Sequence, residues 1–115
     1  MANTFKLVSK ANVTTADIIY TVAGSTTTVL LGILLGNTTG SAITATVSLG
    51  SNTANRAGDN DEANQTVELI TSTTIPGNSS LEILAGNKVV MEETDTLTVT
   101  GSGSTDIALS IMEIT

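Results

Sequence analysis

The stretch VLLGILL, Val29–Leu35, decides the fold, because it is the longest run of large aliphatic side chains in the sequence and only Gly32 interrupts it. Seven residues are far fewer than the roughly 20 apolar residues that a membrane-spanning helix needs. The three preceding threonines, the branched side chains in the run and the central glycine all disfavour a buried helix. We therefore predict a β-strand over about residues 26–35.

This predicted strand is apolar on both faces. Strict alternation places Val29, Leu31, Ile33 and Leu35 on one face and Leu30 and Leu34 on the other. A strand with two apolar faces needs cover on both sides. In so small a domain one face can pack on the core, and we expect the face with Leu30 and Leu34 to contact another subunit. Met112 and Ile114 lie out of phase with Ile107, Leu109 and Ile111 in the last segment, and we predict that they join this interface.

The rest of the chain alternates short apolar segments with turn residues. Its 22 Thr, together with many Val and Ile, suit pleated strands. Turn residues recur about every ten positions, a spacing typical of sandwiches and barrels. We predict an all-β fold in which residues 1–115 form one antiparallel β-sandwich domain, jelly-roll-like, with about eight short strands.

Two turns are predicted in particular. Pro76–Gly77 closes the strand that ends near Ile75, with Pro presetting φ and Gly77 accepting a positive φ. Leu81–Leu84 and Lys88–Met91 are separated by three turn residues, a pattern that predicts a tight hairpin.

Charge and composition exclude several classes of function. A net charge of -7, with only four scattered basic residues, opposes binding to nucleic acid or to an anionic membrane. The sequence has no Cys and no His, which removes disulfides, thiolate chemistry and the usual general base near neutral pH. The first residues lack an apolar run of signal-peptide length, so we expect assembly in the cytoplasm.

Carboxylates are the remaining candidates for catalysis. Glu92, Glu93 and Asp95 form one cluster, which we predict to be a solvated hairpin end. A small carboxylate hydrolase is the enzymatic alternative, but no nucleophile-elbow or phosphate-loop motif accompanies these residues. We predict no enzyme activity, no catalytic residue and no cofactor.

The longest predicted loop is polar and runs over about residues 50–66. Its residues Arg56, Asp59, Asp61 and Glu62 are candidates for contact with a partner. Asp59 and Asp61 could offer oxygen ligands to Ca²⁺, but Asn64 occupies the position of the EF-hand glycine and no bidentate Glu follows. We therefore predict no metal site.

Two longer segments carry a resemblance to a known group. These are SSLEILAGNKVVMEETDTLTVTGS, residues 79–102, and DIIYTVAGSTTTVLLGILLGNTTGSAITATVSL, residues 17–49, followed by the closing DIALSIMEIT. The sequence resembles small virion structural proteins of tailed phages of the marine and cyanobacterial type. The resemblance implies a structural part of a virus particle with a β-sandwich fold, and it implies no site residues.

The expected function is a capsid decoration or cement protein that stabilises the phage head from outside. We expect a homotrimer, because local three-fold axes of a capsid offer matched sites to a symmetric binder. The expected partners are the major capsid protein or other virion proteins, without nucleic acid or membrane. The alternative is a structural or host-binding module of the tail, neck or fibre, in which the polar loop contacts the host.

Overall fold

The part of the chain that the structure describes folds into nine β-strands. The computed structural model describes residues 2–52 and 64–115, and this described part contains strands and turns without a helix. The strands are β1 (Asn3–Val13), β2 (Asp17–Thr21), β3 (Thr27–Asn37), β4 (Ile43–Ser51), β5 (Gln65–Ile75), β6 (Ser80–Glu82), β7 (Val89–Met91), β8 (Thr96–Gly101) and β9 (Thr105–Ile114).

The strands form two packed antiparallel sheets. One sheet has the order β1-β9-β3-β6, with β7 also paired to β3, and the other has the order β2-β8-β4-β5. The first strand thus pairs with the last, the second with the last but one, and so on inward to β4 and β5. This nested winding is that of a jelly roll. The predicted all-β antiparallel sandwich is confirmed.

The predicted hairpin between residues 81–84 and 88–91 is wrong. β6 pairs with β3 at Leu34–Gly36 and β7 pairs with β3 at Thr28–Leu30, so the two short strands follow one another along the same edge. Between them the Glu82 carboxylate accepts hydrogen bonds from the backbone N–H groups of Leu84 and Ala85, at 2.9 and 3.3 Å. Positive φ angles at Ala85 and Gly86 then turn the chain outward, which interrupts a single edge strand.

The core between the sheets is almost entirely aliphatic. Its largest fully buried side chains come from both sheets and include Leu30, Ile33, Leu35, Met91, Leu109 and Ile111 on one side and Val47, Ile75, Leu97 and Val99 on the other. Side chains alternate along β4, with Ile43, Ala45 and Val47 inward, and along β9, with Ile107, Leu109 and Ile111 inward.

A β-bulge in β3 changes which of its residues face the core. Leu30 lies opposite Ile111 and Gly32 lies opposite the next residue, Ser110, so Leu31 is the extra residue. Even-numbered residues therefore face the core before the bulge, and odd-numbered residues face it after the bulge. The complete burial of Leu30 and Ile33 shows this change. The strict alternation predicted for residues 29–35 is wrong for this reason.

A buried asparagine closes one end of the sandwich. The Asn37 side-chain amide donates to the carbonyl oxygens of Ser41, Ile75 and Pro76, at 2.8, 2.9 and 3.1 Å. Its side-chain oxygen accepts the backbone N–H of Thr39 at 2.9 Å. These bonds tie the end of β3 to the loop before β4 and to the turn after β5.

The turn after β5 is present as predicted, but its glycine has another role. The positive φ of 55° belongs to Asn78 rather than to Gly77. Gly77 lies against the backbone of Gly40, where an added Cβ would meet the Gly40 carbonyl carbon and oxygen at 2.6 Å. Close approach of two backbones therefore requires this glycine.

Gly77→Ala should lower the free energy of unfolding by about 1 to 3 kcal/mol, because the new methyl group forces two packed loops apart. Gly40→Ala is the matched control, since an added Cβ there meets no atom within 4 Å. That variant should stay within about 0.5 kcal/mol of the parent protein. Urea unfolding of both variants tests the contact, and equal stabilities would contradict it.

Candidate functional site

The outer face of the five-stranded sheet carries a row of apolar side chains. Phe5 of β1 lies opposite Met112 of β9, Met112 opposite Val29 of β3, and Val29 opposite Val90 of β7. Phe5 and Val90, at the two ends of this row, are 72% and 57% exposed. The row crosses the whole sheet and contains no charged residue.

Further apolar side chains extend this row along the strands. Leu7 is 70% exposed beside it, and Leu34 is 44% exposed on the same side of β3. We call the set the outer apolar face; it comprises Phe5, Leu7, Val29, Leu34, Val90, Ala108, Met112 and Ile114. Four strands about 4.8 Å apart and seven residues at about 3.4 Å each give it an extent of about 400 Å². Patches of this size on soluble proteins are often functional.

One end of this face contains a shallow depression, and carboxylates lie at its margins. The depression has a volume of about 150 Å³ and is lined by Leu34, Gly36, Asp106, Ile107 and Ala108. Small side chains at positions 36 and 108 leave this space beside Leu34. Asp106 lies at this end, whereas the Glu82 carboxylate lies beside Gly32, where an added Cβ would be 3.9 Å from its Oε2, and Thr27 at the other end donates to Glu92 Oε2 at 3.4 Å.

The outer face of the four-stranded sheet has the opposite character. Leu97 and Val99 of β8 are buried, so Thr98 and Thr100 point outward, beside Ser48 and Thr46 of β4. Hydroxyl groups therefore cover the central strands of this sheet, and Ile18 of the edge strand β2, opposite Thr98, is the large exposed apolar residue beside them. The asymmetry makes the five-stranded sheet the candidate surface for association.

The lysines of β1 point toward the opposite sheet rather than to the outer face. Lys6 forms an ion pair with Glu113 of β9, at 2.7 Å between Nζ and Oε1, and Lys10 forms one with Asp17 of β2. Val8, on the same side of the strand, packs against the core. The alternation of β1 thus leaves Phe5 and Leu7 facing solvent.

A polar network around Glu113 joins the two sheets. The Tyr20 hydroxyl of β2 donates to Glu113 Oε2 at 2.6 Å, so the fully buried Thr28 hydroxyl donates to the Tyr20 oxygen at 2.8 Å. Burial and the hydrogen bond to Glu113 raise the pKa of Tyr20 to about 12. Hydrogen bonds from Lys6 and Tyr20 lower the pKa of Glu113. The network thus holds a neutral phenol and an ionised carboxylate at neutral pH.

The residues predicted to form an interface are only partly brought together. Leu34, Met112 and Ile114 all lie on the outer apolar face. Leu30 does not, because it lies before the bulge in β3 and is completely buried in the core. That prediction is wrong for Leu30, and an interface role for the other three residues stays a prediction. The predicted contact loop, with Arg56, Asp59, Asp61 and Glu62, lies outside the described residues, as does the calcium alternative.

The sequence prediction missed five of the eight residues of this face. They are Phe5, Leu7, Val29, Val90 and Ala108. Alternation in residues 3–9 does separate Phe5 and Leu7 from Lys6, but such a pattern normally indicates that the apolar side is the buried one. The structure shows the opposite arrangement, because the lysines form ion pairs with Glu113 and Asp17 and so leave the apolar side of β1 exposed.

The acidic cluster at residues 92–95 is structural rather than solvated. Asp95 is only 4% exposed and accepts the backbone N–H groups of Asn52 and Glu92, at 2.9 and 3.0 Å. The Glu93 carboxylate accepts the N–H of Ser25 at 2.8 Å. The prediction of a solvated end is therefore wrong for Asp95, which stabilises the turn before β8. Within residues 2–52 and 64–115, acidic residues nowhere gather into a group that could hold a metal ion.

Comparisons with known proteins bear on the fold. No family model matches the sequence, and neither does any curated protein. A solved structure described as that of Bacillus endospore appendages, a novel family of disulfide-linked pili, is similar with a TM-score of 0.50 and 20% sequence identity. The similarity covers 99% of this chain and 87% of that one, and at this identity it shows a shared fold. The described part of the present chain contains no helix long and apolar enough to cross a membrane.

The network around Tyr20 predicts a loss of stability at alkaline pH. Between about pH 10, the ordinary pKa of tyrosine, and pH 12, the unfolded chain loses the phenol proton while the folded chain keeps it. The free energy of unfolding should therefore fall as pH rises through this interval. Tyr20→Phe should reduce this decline and cost about 1 kcal/mol at neutral pH.

Tyr20 is the only tyrosine, so phenolate absorbance measures its pKa directly. Denaturant unfolding at several pH values supplies the stabilities. A titration of Tyr20 near pH 10, or an alkaline decline as steep in Tyr20→Phe as in the parent protein, would contradict the described network.

Proposed function

We propose that this chain is a non-enzymatic structural protein that assembles with other protein subunits through the outer apolar face. The observation that carries the proposal is the uncharged row Phe5, Met112, Val29 and Val90, which crosses a complete sheet and is exposed at both ends. Burial of apolar surface is the main favourable term in protein association. A chain with a net charge of -7 repels its own copies, and the row itself adds no carboxylate to the contact.

A protein partner suits this face better than a small ligand. The row of cross-strand neighbours forms a broad surface, whereas small-molecule sites are concave and enclose most of the ligand. The depression beside Leu34 is open and lies at the end of the face, where it could receive one side chain of a partner. Association therefore needs a complementary surface of comparable extent.

We further propose that the assembly is a phage particle, in which the chain is a decoration protein on the outside of the head. The support is the resemblance of residues 17–49 and 79–102 to small virion proteins of tailed phages. Jelly rolls are common in viral capsid domains, which agrees with this proposal. The same fold serves many functions, so the particle assignment depends on the resemblance rather than on the fold.

The second candidate is a subunit of a fibre, tail or neck. It is favoured by the likeness to the pilus structure, since that protein forms an extended assembly. The pili are disulfide-linked, whereas this chain has no Cys and would need a non-covalent interface. The outer apolar face could provide that interface in either candidate.

Met112→Lys tests the role of the face, because it places a charge at the centre of the row on a strand that is not at a sheet edge. We expect association of the 11.7 kDa chain to weaken on the order of tenfold or more. Thr98→Lys is the matched control, since Thr98 is also half-buried and central in the opposite sheet. Sedimentation of both variants gives the dissociation constants; equal effects, or none, would reject the face as an interface.

Copy number per purified particle separates the two candidates. A head decoration protein should occur on the order of hundreds of times, because a closed shell repeats its sites by symmetry, whereas a tail or neck ring should hold about six or twelve copies. Quantitative mass spectrometry of particles against a known capsid protein measures this ratio. The absence of the chain from particles would reject both virion assignments.

A further inference from the structure

β1 is the one regular edge among the four sheet edges that the structure describes. Residues Asn3 to Lys10 pair with β9 without a register shift. The other three edges are blunted: β2 is five residues long with a shift after Ile18, β5 is bulged and has a positive φ at Ser72, and β6 and β7 are an interrupted pair. Proteins blunt edges in these ways to prevent strand pairing between chains. An edge left regular over eight residues is available for such pairing.

The backbone groups that β1 presents outward can be assigned from its ladder. Ala2 and Thr115 exchange both of their hydrogen bonds, each 3.0 Å long. Because bonded and non-bonded pairs alternate along an antiparallel ladder, Thr4, Lys6 and Val8 bond to β9. The N–H and C=O groups of Asn3, Phe5, Leu7 and Ser9 therefore point toward the free edge. Among the described residues, β9 is the only strand that pairs with β1.

The most exposed large apolar side chains that the structure describes lie on this edge. Phe5 and Leu7 are 72% and 70% exposed, more than any other large hydrophobic residue described. On the β9 side, Phe5 has Met112 as its cross-strand neighbour and Leu7 has Ser110, and neither has a neighbour on the other side among the described strands. A second strand beside β1 would supply the missing neighbours and continue the outer apolar face across the new seam.

We infer that a second copy of this chain pairs with β1 through its own β1, antiparallel and about a two-fold axis at Leu7. The inference rests on the proposed function and identifies the first partner of the assembly. β1 contains no acidic residue in a chain with a net charge of -7, so pairing here keeps the carboxylates of the strands apart. Its two lysines are held by Glu113 and Asp17 within their own chain.

The lysines also select the register. With Leu7 opposite Leu7 of the second copy, Lys6 lies opposite Val8 and Lys10 opposite Thr4. Shifting the axis by one residue in either direction places Lys6 opposite Lys6 or Lys10, and like charges opposite one another destabilise a sheet. In the selected register the outward groups of Phe5 meet those of Ser9, and bonded pairs form there and at Leu7.

The small area of contact between the two β1 strands predicts a reversible dimer. Seven residues at about 3.4 Å make a seam about 24 Å long, and at a sheet thickness of about 10 Å its cross-section is about 240 Å². Stable complexes bury about 800 Å² per partner. We therefore expect a monomer–dimer equilibrium that depends on protein concentration.

Leu7→Cys tests both the pairing and its register. In a bonded antiparallel pair the two Cα atoms lie about 5.5 Å apart, within the range for a disulfide. The parent chain has no Cys, so a covalent dimer on mild oxidation reports this position alone. Ser9→Cys is the matched control on the same edge, because in this register its two copies are offset by four residues, about 14 Å. We expect cross-linking at position 7 to be at least about tenfold faster than at position 9.

Equal cross-linking rates at the two positions, or none at position 7 at concentrations where the parent chain associates, would overturn the inference. Circular dichroism of the reduced variants confirms that they are folded. Light scattering separates the two-chain mass expected here from the three-chain mass of the trimer predicted from capsid symmetry.

If Met112→Lys weakens association while Leu7→Cys fails to cross-link, the proposed function stands and the β1 pairing fails. If Leu7→Cys cross-links while Met112→Lys has no effect, the pairing stands and the role proposed for the face fails.

Discussion

The rest of the structure depends on one constraint, the burial of the inward side chains of β3 between the two sheets. β3 pairs with β9 on one side and with β6 and β7 on the other, and its Leu30, Ile33 and Leu35 are completely buried. With one Phe, one Tyr and no Trp, the core must be filled by aliphatic side chains, which give less contact area than aromatic ones. The bulge at Leu31 lets the strand direct these residues inward at both ends while Val29 and Leu34 remain outward.

Much of the fold follows from patterns that local chemistry controls. Alternation in β4, β8 and β9 and the turn at Pro76 were predictable, because side-chain period and turn residues act within a few positions. The bulge at Leu31 was not, since one extra residue leaves no mark in an apolar run. The relation of β6 to β7 also depends on a distant strand, because β3 is long enough to pair with both. Of the candidate interface, Leu34, Met112 and Ile114 could be placed on the outer face, whereas Leu30 could not, because its direction depends on that bulge.

β1 reverses the usual relation between polarity and burial. Its lysines are directed toward the second sheet and neutralised by Glu113 and Asp17, while Phe5 and Leu7 face water. Glu113 is central to this arrangement, because it receives Lys6 from β1 and Tyr20 from β2 and so fixes the first strand against both sheets. Long-range ion pairs of this kind cannot be deduced from the order of residues along one strand.

The contrast between the two outer faces has a consequence for how large an assembly can grow in thickness. One outer face of the subunit is mainly aliphatic, whereas the other presents mainly threonine and serine hydroxyls. Once the aliphatic face is covered, the remaining outer face is largely hydroxylated and well hydrated, apart from Ile18 at its edge. A further layer then gains little apolar contact, so an assembly formed through the aliphatic face would stay one subunit deep.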